Sequence, residues 1–428
     1  ASFAQAAPEV KAPVAKPVYV LVLTVLMPFG IGYYLSYLFR TVNAIISPQL
    51  VADVGLTPSE LGFMTAAYFM TFAAVQLPLG IVLDKYGPRK VQAALLMVAA
   101  AGAALFAIGT DAVTLIIGRG LIGLGVSACL MASLKTNVLW FPKEKIPLVN
   151  GVIFAFGTIG ALSTTVPLEL LIKTVDWRTV FWWLTGVSIF SGLLIMFVVP
   201  EGPQGAVKTA PGQSASKAQM ADLKLVYGSA YFWRLCFMVF LHNGVFLSYQ
   251  ALWAAPWLRD VAGLDRSGVA DAMFMFNIGM FVGVLSIGLL AERLQKLGVP
   301  TIVPAVAGIG LSLIVQIMFA AAWTDYPAIL CLLFGYFGSS STLAYAVMNQ
   351  KFPQKLTGRV NTAQNMMTFI AAFTTQWLVG IIIGLYPAPG DGLYSAEGHQ
   401  TALIVLISIE LVGFIYFLWP RYTPDPPP

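Results

Sequence analysis

Runs of about 20 apolar residues recur along the whole of the 428-residue chain, and each is long enough for a helix to cross a hydrocarbon layer roughly 30 Å thick. They lie near residues 18–50, 61–83, 91–109, 113–140, 148–172, 179–199, 232–257, 269–290, 301–322, 328–350, 362–386 and 401–419. A backbone in lipid has no water to bond to and must satisfy its own polar groups, so each run is predicted to be a helix. Composition agrees: 58% of residues are hydrophobic and 10% charged, against roughly a quarter charged in soluble domains.

Charge then orders the runs. With the N-terminus taken as cytoplasmic, the loops on that side carry 17 Lys and Arg and the opposite loops carry Lys173, Arg178, Arg259 and Arg266. Such asymmetry orients a membrane protein with its basic loops inside, so both termini are expected to be cytoplasmic, in a cell inner membrane. The longest polar gap, Pro200 to Tyr231, separates two sets of six runs. Gly80-Ile-Val-Leu-Asp84-Lys85 is echoed 208 residues later by Gly288-Leu-Leu-Ala-Glu292-Arg293, and Phe141-Pro142 is echoed 211 residues later by Phe352-Pro353. Two matches at nearly one offset indicate a duplicated unit, and repeats of this kind enclose a solute site near the midplane. The expected architecture is an all-α membrane protein of twelve transmembrane helices in two pseudo-symmetric six-helix bundles. Its expected parts are a disordered tail (1–17), an N-terminal bundle (18–199), a cytoplasmic linker (200–231), a C-terminal bundle (232–420) and a short tail (421–428). The N-terminal stretch Ala1 to Lys16 lacks the basic-then-apolar order of a signal peptide.

Gly80-Ile-Val-Leu-Asp84-Lys85-Tyr-Gly87-Pro-Arg89-Lys90 resembles the loop between helices 2 and 3 of the major facilitator superfamily, and Arg119-Gly-Leu-Ile-Gly123-Leu-Gly125 resembles that superfamily's helix 4 motif. Tyr37-Leu-Phe-Arg40 in the first run and Lys135 to Lys145 at the end of the fourth are similar to the anion:cation symporter branch. The resemblance implies secondary active transport by alternating access. It also implies that Gly80, Asp84, Gly87 and Arg89 brace the two halves in one conformational state, with a comparable structural role for Arg119. The Gly-Pro signature of drug antiporters is absent from Gly157-Thr-Ile-Gly160, which favours symport over efflux.

Charge inside a bilayer is costly, so ionisable residues within the runs mark candidate sites. Arg40 remains charged when buried and can grip a carboxylate, phosphate or sulfonate through two parallel hydrogen bonds. Lys135 either snorkels to the interface or joins Arg40 in a cationic site. His242 can change charge near neutral pH, and Glu169 and Glu410 are further candidate proton sites. Tyr33, Tyr37, Asn43, Tyr68 and Gln76 in the first half are candidates to line a small-molecule site. So are Asn243, Tyr249, Gln250, Trp253, Tyr345, Gln364 and Asn365 in the second. Aromatic walls with a few aimed polar groups suit such a site.

Other functions fit less well. The basic residues form no dense patch for nucleic acid. Cys129, Cys236 and Cys331 have no metal or pairing spacing, and the chain has no phosphate-binding Gly-x-x-x-x-Gly-Lys-Ser/Thr loop. No metal, cofactor or catalytic residue is expected. The expectation is a monomeric, proton-coupled importer of a small organic anion. A proton-antiport exporter of a drug, siderophore or other amphiphile is the alternative. A soft-metal importer using Met273, Met275, Met280, Met366 and Met367, and a non-transporting receptor, are lesser ones.

Overall fold

The computed structural model describes residues 17–142, 145–201, 225–353, 356–390 and 393–419. The two expected tails, but for Pro17, and residues 202–224 of the expected linker lie outside the described residues. Among the described residues every regular element is helical.

The membrane helices are α1 (Tyr19–Val54), α2 (Pro58–Ala74 with Gln76–Tyr86), α3 (Pro88–Ile108), α4 (Ala112–Trp140), α5 (Leu148–Leu171) and α6 (Trp177–Val198) in the first half. The second half holds α7 (Ala230–Asp260), α8 (Arg266–Lys296), α9 (Ile302–Ala320), α10 (Pro327–Lys351), α11 (Arg359–Gly384) and α12 (Ala396–Leu418). Eleven are single spans by length and hydropathy, and the bent pair of α2 is the twelfth. The sequence predicts one run at 61–83. The chain instead bends by 52° at Val75, where Pro78 has no N–H to offer Ala74 O and its ring crowds that carbonyl.

Helix ends on the face of the α1–α2 loop are set by side-chain caps. Thr57 and Glu60 form a capping box at the start of α2. Asp111, Asp176 and Asp265 each accept a backbone N–H three residues on, at 2.9, 2.7 and 2.9 Å. Hydrogen bonds from the Thr114 hydroxyl and backbone hold the Asp111 carboxyl below its usual range, and Thr179 does the same for Asp176. On the basic face, α2 ends and α3 begins through Gly87, whose φ of 79° needs a residue without a Cβ.

Several spans are irregular at mid-depth. α4 breaks at Ser127–Ala128, α5 at Thr164–Thr165, α7 widens into a π-turn over Tyr249–Trp253, and α10 tightens into a 3-10 turn over Ser339–Thr342. Hydroxyls take up the carbonyls that these breaks release. Ser127 donates to Leu124 O (2.7 Å), Thr164 to Ala161 O (2.8 Å), Ser340 to Phe337 O (2.6 Å) and Thr342 to Ser339 O (2.7 Å). The breaks of α4 and α10 occupy corresponding places in the two repeats. Both helices then end alike, at Phe141 and Phe352, whose N–H groups bond Asn137 O and Met348 O.

The halves meet where α1 crosses α7, α2 crosses α11 and α5 crosses α8. The α2–α11 contact is closest near the α1–α2 loop, where Gly62 and Gly380 let the backbones approach. There the Trp253 indole donates to Gln376 O at 2.9 Å, and Phe63 meets Phe373 and Trp377 edge-on. Among the described residues, the basic-face ends of α4 and α5 share no such packing with α10 and α11. The structure is thus sealed on the face opposite the basic loops.

A side chain tests this seal. A Cβ on Gly380 would lie 2.5 Å from Pro58 O, whereas one on Gly384 meets nothing. Gly380→Leu is expected to lower thermal stability by about 1–3 kcal/mol through overpacking, and Gly384→Leu to leave it unchanged, as read by thermal unfolding of the purified protein. Equal effects from the two substitutions would contradict the close approach.

Candidate substrate site at the seam between the halves

Tyr33, Tyr37, Arg40 and Asn43 fall at helical spacings of four, three and three, and so share one face of α1. Arg40 is 6% exposed. Its guanidinium carbon lies 4.4 Å from the Tyr37 ring centroid, 5.9 Å from Phe72 on α2 and 5.3 Å from Phe369 on α11. Phe72 and Phe369 touch across the seam with centroids 4.1 Å apart, so both halves contribute walls around one cation. Arg40 makes no ion pair among the described residues, and its Nε is buried without a partner. Ring faces stabilise a cation by about 0.5–2 kcal/mol each, less than a carboxylate would, and leave the Nε donor unsatisfied.

The same helices and α10 carry polar candidates. Tyr33 stands edge-on to Tyr37 at 5.2 Å, and the Tyr68 hydroxyl donates to Ser36 O at 3.1 Å. Asn43 donates to Thr65 Oγ1 (3.0 Å), leaving its Oδ1 without a partner. Tyr345 donates to Asn365 Oδ1 (3.2 Å), and Asn365 in turn donates to Gln76 Oε1 (3.3 Å). That chain crosses the seam. Gln76 Nε2 and both amide atoms of Gln364 remain buried and unpaired. Asn243 is held by Thr368 (3.3 Å) and Ser341 (2.7 Å).

Other sequence candidates lie deeper in the bundles. Tyr249 packs against Phe319 and Phe334, Gln250 donates to Asn277 Oδ1 at 3.2 Å, and Trp253 belongs to the seal. Lys135 pairs with Asp84, which draws its ammonium towards the α2–α3 loop. Arg89 donates to Met196 O at the end of α6 (2.9 Å) and lies 3.7 Å from Glu201. The partners of Asp84 and Arg89 therefore lie within the first half or just beyond α6. A Cβ on Gly80 would meet nothing. Arg119, fully buried, donates one nitrogen to Phe39 O at 2.8 Å and ties α4 to α1. Glu169 is buried and accepts from Lys173 one turn on, at 3.1 Å.

The structure joins two candidates that lie 168 residues apart. His242 Nδ1 lies 2.6 Å from Glu410 Oε1, both fully enclosed between α7 and α12. His242 Nε2 lies 3.1 Å from Gly338 O, at the break of α10. A carbonyl only accepts, so Nε2 carries a proton and Nδ1 faces the carboxyl. One further proton must then sit between ring and carboxyl, on either side. Without it, a ring lone pair would oppose a carboxylate whose Oε2 has no partner, in a setting where unpaired charge costs several kcal/mol.

Phe72, Thr368 and Phe369 are site residues that the sequence reading passes over. Their signal is positional: Phe72 lies midway between Tyr68 and Gln76 on one helix face, and Phe369 lies four residues after Asn365.

Comparison with known proteins bears on the family and the fold. The sequence profile of the Major Facilitator Superfamily matches residues 29–376. A probable sulfoacetate transporter of Cupriavidus necator is 24% identical over 272 residues, 62% of this chain and 63% of that protein, so the chain spans less than two thirds of that relative's length. A D-galactonate transporter of Escherichia coli O6:H1 is 23% identical over 94% of this chain and 96% of its own. The hexuronate transporter of Escherichia coli K12 is 22% identical over 90% of each. Among solved structures, an inward-facing, unoccupied bacterial homologue of the human lysosomal transporter Spinster superposes with a TM-score of 0.71 at 15% identity, covering 96% of this chain and 100% of that one. A D-xylose–proton symporter superposes at 0.66 with 15% identity, covering 95% and 98%. The chain belongs to the Major Facilitator Superfamily and is a multi-pass membrane transporter, not an enzyme.

Proposed function

We propose that this transporter takes up a small organic anion together with a proton, and that Arg40 is the ligand of the anion. One observation carries the reading: a permanently charged guanidinium lies at the seam, in an aromatic box built by both halves, with no carboxylate to neutralise it. The relatives named for sulfoacetate, galactonate and hexuronate support a cargo of this class. A carboxylate or sulfonate would accept from the guanidinium of Arg40. The unpaired Nε2 groups of Gln76 and Gln364 suit further oxygens of the cargo and the unpaired Oδ1 of Asn43 suits a cargo hydroxyl, with Tyr33, Tyr37 and Tyr345 as walls.

The His242–Glu410 pair is the proposed proton carrier. It bears directly on the break of α10, and the next residue, Asn243, bonds Ser341 in that break and Thr368 on α11. Thr368 precedes Phe369, which faces Arg40. Loss of the shared proton would loosen α7 from α10 and α12 and so shift the wall of the anion site. The reading further places a monomer in a bacterial inner membrane, with the basic loops cytoplasmic.

In proteoliposomes, Arg40→Ala is expected to raise the half-saturating concentration of sulfoacetate or galactonate by about 30-fold or more, the value of a lost charge-assisted contact. Arg40→Lys is expected not to rescue it, because an ammonium cannot offer a planar fork. Unchanged affinity in Arg40→Ala would remove the anion site.

For the proton, Glu410→Gln is expected to retain substrate counterflow while losing accumulation driven by a pH gradient. His242→Ala, which strands a buried carboxyl, is expected to cost about 3–5 kcal/mol of stability. Gradient-driven accumulation at wild-type levels in Glu410→Gln would refute the coupling role.

Orientation is tested by labelling. Leu297 on a basic-face loop and Tyr326 on the opposite face are 79% and 60% exposed, and the native cysteines are buried. A membrane-impermeant maleimide is expected to label Tyr326→Cys in intact spheroplasts and Leu297→Cys only after lysis. The reverse pattern would invert the topology.

A further inference from the structure

The bend of α2 leaves a groove that the transport cycle described above does not use. Its lower limb diverges from α3 and α4, and the space between them is a cavity of about 430 Å³. Val75, Leu79, Val82, Val91, Leu95 and Leu124 supply apolar walls. The hydroxyl of Ser127, which also borders it, is already committed to Leu124 O. Nothing on these walls can hold a polar cargo. The exposed positions Pro78, Val82 and Ala94 lie within membrane spans, so the groove borders acyl chains.

Its mouth has different chemistry. Tyr86 and Lys90 line it at the end nearest the basic face, and Lys85 stacks over the Tyr86 ring at 5.0 Å. Among the described residues neither Lys85 nor Lys90 has an ion pair. The acid of this loop, Asp84, is committed to Lys135, and Arg89 is committed to Met196 O and Glu201. Two uncompensated ammonium groups therefore stand at headgroup depth over a deep apolar slot. Basic pockets between membrane helices on the cytoplasmic side suit anionic headgroups, and buried methylene groups give a chain its affinity.

We propose that this groove binds one acyl chain of an anionic phospholipid, with the lipid phosphate held by Lys90 and Lys85. The occupant wedges the two limbs of α2 at their observed angle.

The test uses the full chain in nanodiscs of phosphatidylcholine, alone and mixed with phosphatidylglycerol. A ligand that binds the folded state raises its thermal midpoint. The midpoint is expected to rise with phosphatidylglycerol, and native mass spectrometry is expected to detect one retained phosphatidylglycerol. Lys90→Gln, an exposed position, is expected to need about fivefold more phosphatidylglycerol for the same rise, the share of one basic residue near a membrane surface. Ala94→Trp, which fills the slot, is expected to abolish both the rise and the retained lipid; Ala94→Met serves as the smaller plug where the tryptophan variant fails to insert. The proposal is overturned by an equal midpoint in the two lipid compositions, by variants that respond as wild type does, or by soluble glycerol phosphate producing the full rise without a chain.

Discussion

Every polar group that lies in hydrocarbon must find its partner within the protein, and the architecture follows from that demand. It makes each span a helix. It also decides where a span can stop being one. The breaks in α4, α5 and α10 coincide with Ser and Thr residues whose hydroxyls take up the released carbonyls. Ser127, Thr164 and Ser340 are buried among neighbouring helices, where irregular backbone is tolerated at membrane depth. Such breaks divide long helices into segments that can reorient separately, as a rocking carrier requires.

The same demand is met in different ways at different cations. Arg178 has Asp53 at 2.8 Å, Arg259 has Asp260 at 2.6 Å, and Lys135 has Asp84. Arg119 is spared an acid but spends a nitrogen on a backbone carbonyl. Arg40 has ring faces and the Tyr68 hydroxyl, and its Nε has no partner. A carboxylate beside it would have satisfied the charge and occupied the place of the cargo. The aromatic box holds the guanidinium in a fixed orientation while leaving its Nε donor unspent. Because the box draws on α1, α2 and α11, an anion that settles against Arg40 also acts on the packing between the halves.

What could be read from the sequence was local. Twelve apolar runs, two related halves and one arginine inside the first run are each visible within a short window, since hydropathy and a buried charge are properties of neighbours in sequence. The partnerships were not. Asp84 and Lys135 are 51 residues apart, and His242 and Glu410 are 168 apart; each residue was noticed for its own charge, and only the packing of α2 on α4 and of α7 on α12 brings them together. Phe72 and Phe369 were hidden for the opposite reason. Phenylalanine is abundant in a chain with 28 of them, and nothing but position marks the two that face a cation. The bend at Val75 did have a local sign, Pro78, which lacks the N–H that would bond Ala74 O and so breaks the helix one turn earlier; the reading of 61–83 as one apolar run passes over it.

Charge accounting links the two proposed sites. An empty carrier with the shared proton gone holds Arg40 as +1 and the His242–Glu410 pair as −1. A fully loaded carrier holds Arg40 against an anion and a neutral pair. Counting Arg40 and the pair alone, both states are neutral, while Arg119, buried without an acid among the described residues, adds the same charge to every state. The two half-loaded states are not neutral on that count: proton without anion leaves +1, and anion without proton leaves −1. Moving an unbalanced charge through a low-dielectric interior costs several kcal/mol even after relaxation, and about 1.4 kcal/mol already separates two states tenfold. On this assignment the half-loaded forms are disfavoured in the rearrangement that exposes the site to the other face, while the empty and full forms pass. Coupling then needs no direct contact between proton and cargo, only that one fixed cation and one fixed acid share the same hydrocarbon interior.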